Sequence, residues 1–460
     1  MIGRMKFSLL RWLLRWAGLV LAAVTAIGAE SARPDYIEHD APVIALMGVR
    51  VIDGSGAPAM ADQTIVIAEG KIAAIGSASA TRVPADAKII ELKGKTVTPG
   101  LVMLHEHLMY FSGRAIWHSQ PVSYPRLYLA AGVTTLRTAG TEQPEVDLNL
   151  KRRIDSGKAP GPKMHLTSPF LNGAASDFLG DTVVRDAEEA RRSVVYFAER
   201  GFTSFKVYSA ITSDALRAVV EEAHRRRLTV AGHLESVSCA EAADLGIDSI
   251  EHSFNSCMKD LGIEAGDEKF VADVNAPKIQ ELIKHLVRKG VTLVATPVSL
   301  DEPLSETELD LLHPQSRETY LRNIRQPPPW WPRSKLEREI RKLERAFVAA
   351  GGRLGLGADP ADFGQIAGYA DHRALHLLSE AGWTPAEIIR LATSQNADVL
   401  GVGDSVGRIA VGHAADLIVV SGDPLADVRE LAKADLVFKD GVAYDPTKLR
   451  APAKGLVGWQ

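Results

Sequence analysis

Cysteine is nearly absent: the chain of 460 residues has two, Cys239 and Cys257. That excludes a small disulfide-stapled scaffold and a thiolate zinc cluster, whose ligands come in closely spaced pairs. The two can bridge in an oxidising compartment or remain as buried free thiols, and free thiols are the expectation here. An excess of basic charge is also missing. Fifty-three Lys and Arg against 57 Asp and Glu leave a formal charge of −4, with the bases scattered rather than striped. No electrostatic footprint for nucleic acid follows from that. Beyond the first thirty residues no apolar run approaches the ~20 residues a membrane span needs, which excludes an integral membrane protein built on later segments.

The opening residues differ in kind. Arg4, Lys6, Arg11 and Arg15 precede a short apolar run, Trp16 to Ala29, that ends in small residues before Glu30. This reads as a secretory leader over residues 1–29, cut near Ala26 or Ala29. The competing reading is an uncleaved anchor, disfavoured because the run is short for a span. The expected location is periplasmic or secreted, without stable membrane association once the leader is gone. What remains, 46% hydrophobic and 24% charged, can bury a large core and is long enough for two or three domains.

Residues 42–97 read as short strands and turns: Val43 to Leu46, Val49 to Ile52, Thr64 to Ile67, Lys71 to Ile75 and Ile89 to Leu92, with Glu69-Gly70 as a hairpin turn. The rhythm changes at Thr96. Apolar, β-branched runs then alternate with stretches of helical period. Strands are expected at Thr96 to His107, Thr134 to Thr138, Lys163 to Thr167, Thr203 to Tyr208, Thr229 to His233, Asp248 to His252, Val291 to Thr296 and Arg353 to Asp359. Helices are expected at Ala187 to Arg200, Asp214 to Arg227, Lys278 to Lys289, Leu336 to Ala350 and Pro385 to Leu400, with Ser213 opening the second of them. Eight strands each followed by helix predict an α/β fold, a (β/α)8 TIM barrel over residues 98–402. Strand signals return over 403–450, at Gly407 to Ile409, Ala415 to Val420 and Asp435 to Gly441. They most simply complete the N-terminal module, so the barrel is inserted in a small composite β-sandwich domain made from both ends of the chain. Four loops on the expected catalytic face are long, and the last holds Trp330-Trp331; such loops are usually lids or binding elements.

The chemistry gathers at strand ends, where barrels of this kind place it. His105 and His107 close the first strand and point to one face. Lys206 ends the fourth, His233 the fifth, His252 the sixth and Asp359 the eighth. Any one of these is more simply a packed or solvated residue, but six such groups at strand ends point to a metal site. A barrel-facing lysine beside cations is unfavourable as an ammonium ion, whereas carbon dioxide converts it into an anionic carbamate that can bridge two ions. The expectation is a dinuclear zinc centre: His105, His107 and Asp359 on one ion, His233 and His252 on the other, with N6-carboxylated Lys206 and a hydroxide bridging. Asp359 would move the proton from water to the leaving nitrogen. Tyr208, on the same strand face as Lys206, would donate to the developing oxyanion, or simply pack.

These residues resemble the metal-dependent amidohydrolase superfamily, in particular its imidazolonepropionase-like and prolidase-like members. The similarity runs from about Pro42 to Tyr444 and rests on Thr98-Pro99-Gly100-Leu101 through His107, Phe205 to Tyr208, Val230 to His233, Gly246 to His252, Gly357-Ala358-Asp359, and Gly407 to Leu417. It implies the same ligand roles. It departs at Met103, where the family usually has an Asp two residues before the first His, so the support of His105 is in question. His233 is followed by Leu234-Glu235, whereas deaminase-type members place a Glu three residues on; with Lys206, this favours amide hydrolysis.

The leading function is cleavage of a C–N amide bond in a small substrate such as a dipeptide or N-acyl amino acid. The alternatives are a mononuclear hydrolase of a cyclic amide or amidine, a lactonase, esterase or phosphotriesterase using the same centre, and a non-catalytic binding protein on this scaffold. Arg114, Arg126, Arg137 and Arg325 are candidates to bind a substrate carboxylate. Self-association into a homo-oligomer is left open.

Overall fold

The computed structural model of the chain describes residues 33–459 apart from 112–116, 177, 265–266, 268, 300–301, 327–333 and 363. The expected leader, Arg114 and the Trp330-Trp331 pair lie outside the described residues.

Eight parallel strands follow one another with helices between, close to the expected positions: Leu101–Glu106, Val133–Thr138, Lys163–His165 with its continuation Thr167–Asn172, Ser204–Val207, Thr229–Gly232, Ser249–Glu251, Thr292–Ala295 and Arg353–Leu356. They form two parallel sheets that meet at the third strand, where only Leu166 separates the two ladders. The first strand, LVMLHE, is buried at every position, as expected of a parallel strand covered on both faces.

The first and eighth strands are joined by side chains. Asn396 Nδ2 donates to the carbonyls of Val102 (2.6 Å) and Leu356 (3.0 Å), and its Oδ1 accepts from the Leu356 amide (3.1 Å). That role explains a difference from the expected helix Pro385 to Leu400. It is broken into Pro385–Arg390, a π-helical turn Leu391–Gln395, and Asn396–Val399. Within the turn, the Thr393 hydroxyl donates to Ile389 O and that of Ser394 to Gly54 O, both at 2.6 Å. A π turn shifts the helix phase, which delivers Asn396 to the seam.

The other helices obey local rules. Ala187–Arg200 starts at Asp186, whose carboxylate accepts from the amides of Glu188 and Glu189, and stops at Gly201 with φ +103°. The helix Ser213–Arg225 is capped by Thr212, one residue before the expected start. Pro277–Lys289 and Ser334–Ala349 follow. No helix among the described residues is long and apolar enough to cross a membrane.

The two ends of the chain build one nine-stranded sheet. Its junction is Leu417–Val420, antiparallel to Thr96–Pro99, which lies beside Val43–Val51. The sheet holds its own apolar cluster, including Ile44, Leu46, Ile65, Leu417 and Phe438. Gly407 to Ile409 is not a strand: Gly407 sits at φ +80°, and Ile409 makes a single ladder-like bond to Asp53 O.

Cys239 and Cys257 are disulfide-bonded, with Cα atoms 5.3 Å apart, and so are not the free thiols expected. They lie on the short helical segments that follow the fifth and sixth strands. Those strands are ladder neighbours, and adjacency of the strands brings the two thiols together.

Candidate metal centre

All six expected ligands and Tyr208 line one cavity of about 130 Å³ at the C-terminal ends of the strands. His105 lies on the first strand and His107 just beyond it, two residues on and turned the same way. Lys206 and Tyr208 share a face of the fourth strand in the same manner.

His252 and Asp359 reach the cavity by a different route. Both are non-glycine residues in the left-handed region, at φ +59° and +51°, and Ser253 follows at +53°. Such backbone costs about 1–3 kcal/mol and persists only where surroundings enforce it. Simple alternation from Glu251, which faces His105 and Arg137, would turn His252 away from the cavity; the left-handed turn brings it back. Gly357 allows the eighth strand end to lie against the first. A Cβ there would come within 2.4–2.7 Å of the His105 Cβ, N and Cα.

The donors converge around Asp359. Its Oδ1 lies 3.0 Å from His107 Nε2 and 3.5 Å from His105 Nε2, and its Oδ2 is 3.7 Å from His252 Nδ1. Ligand atoms of His105, His252 and Asp359 all lie within 4.8 Å of one another, a group able to hold a metal ion. The His233 and His252 rings are 4.5 Å apart between centroids. His233 Nε2 also lies 3.4 Å from Glu235 Oε1.

Beneath these ligands lies a charged group that the sequence reading missed. Glu251 Oε2 meets His105 Nδ1 at 2.5 Å. Its Oε1 accepts from Arg137 Nη2 and from the Ser249 hydroxyl, both at 2.8 Å. Arg137 also donates through Nε to Leu104 O at 2.7 Å. Glu251 is fully buried. Burial alone would raise its pKa, but Arg137 and His105 outweigh that and hold it well below the carboxylate range. Glu251 therefore fixes the His105 ring and leaves Nε2 facing Asp359, the arrangement by which a carboxylate orients a metal-binding histidine. Met103, at the position where an Asp was missing, is fully buried in the apolar core; a different strand supplies the carboxylate. The sequence signal was Ser249-x-Glu251, two polar residues on one face of a buried strand.

Arg137 is thereby spent below the site and cannot bind a substrate carboxylate. Arg126 donates to Val122 O, Arg325 sits at the end of the helix Pro314–Arg325, and neither lines the cavity.

The electrostatics suit cation binding. Burial lowers His107 and His252, keeping the neutral imidazoles a metal requires. For Asp359, burial pushes upward, yet His105 and His107 hold its carboxyl well below the usual range. Lys206 is 1% exposed. Burial brings its pKa down to about 8, against the pull of Glu251 and Asp359. Its Nζ has no hydrogen bond or ion pair among the described residues. A buried lysine without a partner, facing neutral imidazoles and a carboxylate, fits a carboxylated ligand to divalent ions. Burial also pushes the Tyr208 phenol upward, so it stays a proton donor.

The opposite wall is aromatic and acidic. Trp117, Phe178, Tyr208 and Phe170 form a continuous belt, with successive ring centroids 5.7, 5.7 and 4.9 Å apart. Glu142, Asp181 and Asp362 lie among them. None of these acids or rings except Tyr208 was expected.

The model of the amidohydrolase family matches residues 96–443. Among curated proteins, the chain is 25% identical over 248 residues to the imidazolonepropionase of Rhizobium rhizogenes, a stretch covering 43% of this chain and 60% of that protein. It is 24% identical over 419 residues to the imidazolonepropionase of Chromobacterium violaceum, covering 79% of this chain and 87% of the other. Among solved structures, it is similar in fold to a Xaa-Pro dipeptidase solved with methionine in the active site, with TM-score 0.67, 22% identity, and coverage of 88% of this chain and 100% of that one.

Proposed function

The chain belongs to the amidohydrolase family, and from that premise we propose that it is an exported enzyme hydrolysing a C–N amide bond of a small substrate. The observation that carries this reading is the meeting of six scattered side chains in one cavity, with Lys206 buried there and unpaired among the described residues. In this reading the eight parallel strands make one (β/α)8 barrel, with Asn396 and the Asp359 N to His105 O bond (3.0 Å) at its seam.

His105, His107 and Asp359 would hold one zinc ion, and His233 and His252 a second, with N6-carboxylated Lys206 shared between them. Bound there, the ions supply Lewis acidity toward an amide carbonyl and toward water at neutral pH. The chain's own residues do the rest. Lys206, with its pKa brought down to about 8, offers a larger share of free amine at neutral pH than an exposed lysine does. Its nitrogen bonds to the carbon of carbon dioxide and releases one proton, leaving a carbamate anion. Glu251 and Arg137 keep the His105 ring from turning. Asp359 takes a proton from the attacking water and passes it to the leaving nitrogen. Tyr208 donates to the oxyanion that forms as the carbonyl becomes tetrahedral. The Cys239–Cys257 bond supports export, since such bridges persist in oxidising compartments.

A single-ion centre is the second reading, favoured by the compactness of the His105, His252 and Asp359 group. Metal analysis separates the two. Two zinc ions per chain, falling to one in Lys206→Ala, is the expected result. Two tightly held ions in that variant would sink the bridging role, and one ion in the unaltered protein would favour the single-ion reading. Activity is tested by screening the zinc-loaded protein against dipeptides, N-acyl amino acids, lactones and esters. Turnover confined to lactones and esters would overturn amide cleavage.

A further inference from the structure

We propose that the substrate carries a cationic group next to the bond that is cleaved, and that Glu142 and Asp181 receive it against the aromatic belt. This rests on the amide-hydrolase reading and narrows its substrate class.

Among the described residues, the cavity wall opposite the metal ligands has no base. Among the described lining residues the only lysine is Lys206, at the metal end, and there is no arginine, while three acids that are not expected ligands take part. Two of them are built into place. Asp181 Oδ2 accepts from Asn172 Nδ2 (2.7 Å) and from the Ser176 hydroxyl. Asn172 is fully buried, and its own Oδ1 accepts from the amides of Gly173 (3.0 Å) and Ala210 (2.8 Å). One Asp181 oxygen is thus tethered, and the other has no hydrogen-bond partner among the described residues.

Glu142 is held by shape. Its carboxyl lies over Gly180, where a Cβ would stand 2.4 Å from Cδ and 2.7 Å from Oε1. It makes no hydrogen bond or ion pair with any described residue. Glu308, by contrast, is paired with Arg373 at 2.6 Å. Burial and the neighbouring Asp181 push Glu142 up to about 7. Two carboxyls facing one cavity, with no base beside them among the described lining residues, leave a deficit of positive charge that a bound cation removes. Trp117 and Phe178 add ring faces on which a guanidinium or ammonium can rest. A substrate carboxylate directed at the same wall would meet like charge, so N-acyl amino acids fit this wall poorly and amides bearing an amine, amidine or guanidine fit it well.

The test compares benzamidine, a cation, with the near-isosteric neutral benzamide. Binding of each to the full zinc-loaded protein is measured by titration calorimetry at about pH 8 and low salt. Benzamidine should bind about tenfold more tightly or better, a difference of about 1.4 kcal/mol. Glu142→Gln should bring the two affinities to within about twofold with zinc content unchanged. Asp181→Asn is the second variant, should the first fail to fold. Equal binding of the two probes by the unaltered protein overturns the proposal, as does a preference that survives both substitutions. Failure of the amide-hydrolase reading looks different: the binding preference holds, and no amide in the screen is cleaved.

Discussion

The two walls of the cavity are held by different means. On the metal side buried structure fixes His105 through Glu251 and Glu251 through Arg137 and Ser249, and left-handed backbone directs His252 and Asp359. On the far side Trp117, Phe178, Glu142 and Asp181 come from connecting segments, and Phe178 is 44% exposed. Chemistry that serves many substrates is carried by strand ends, and the choice among substrates is carried by loops. If that division is right, damage to the first wall removes activity on every substrate, while damage to the second alters preference or stability.

The largest effect belongs to Asp359. Asp359→Asn keeps the size and the left-handed backbone but loses the carboxylate proposed as metal ligand and proton carrier. Its kcat/KM should fall about 10⁴-fold on any amide that is turned over, with the melting temperature little changed. A loss confined to cationic substrates would erase the division between the walls.

The disulfide comes next. Cys239 and Cys257, 18 residues apart, staple together the segments that follow His233 and His252. Changing both to serine should cost about 3 kcal/mol of stability by loop entropy. Reversible denaturation with and without reductant reads this directly, and reductant should have no effect on the double variant.

Glu251→Gln is smaller and more telling. The amide keeps the shape but loses the charge that Arg137 and His105 share. Metal affinity should drop about 10–100-fold, measured by competition with a chelator. An unchanged affinity would show that the His105 ring is fixed by packing alone. How this residue was overlooked shows what sequence can reveal. The six expected ligands were legible because each sits at the end of an apolar run. For His105, His107 and Lys206 strand alternation says where the side chain points, whereas His252 and Asp359 turn inward through left-handed backbone. The eight strands were legible for the same reason, although the first starts at Leu101 rather than Thr96, which belongs to the nine-stranded sheet, and the third continues to Asn172. Glu251 was not, because nothing local says that it reaches across to His105, 146 positions earlier. The acids of the far wall were hidden more deeply. Glu142 and Asp181 lie in loops without period, and only the folded chain brings them to one cavity. The disulfide was missed for a related cause: two cysteines in apolar surroundings look like core until strand adjacency is known.

The smallest effect reaches the far wall from behind. Asp147, buried in the helix Pro144–Asp155, lies five residues after Glu142 and hydrogen-bonds Thr141, the residue just before it. Burial pushes its carboxyl up to about 7, against the usual value of 3.8. The folded protein therefore keeps a proton that the unfolded chain releases above about pH 4. Below that both states are protonated and the group is neutral to stability. Between about 4 and 7 it costs more with each step upward, and above 7 the penalty is complete. From pH 5 to 6 the loss amounts to about 1.4 kcal/mol. Asp147→Asn holds no such proton, so its stability should decline less than that of the unaltered protein over this interval. Chemical denaturation at the two pH values measures the difference, and parallel declines would mean that the helix behind Glu142 tolerates the charge. In that case the far wall is as firmly supported as the near one, and the contrast between them is one of chemistry alone.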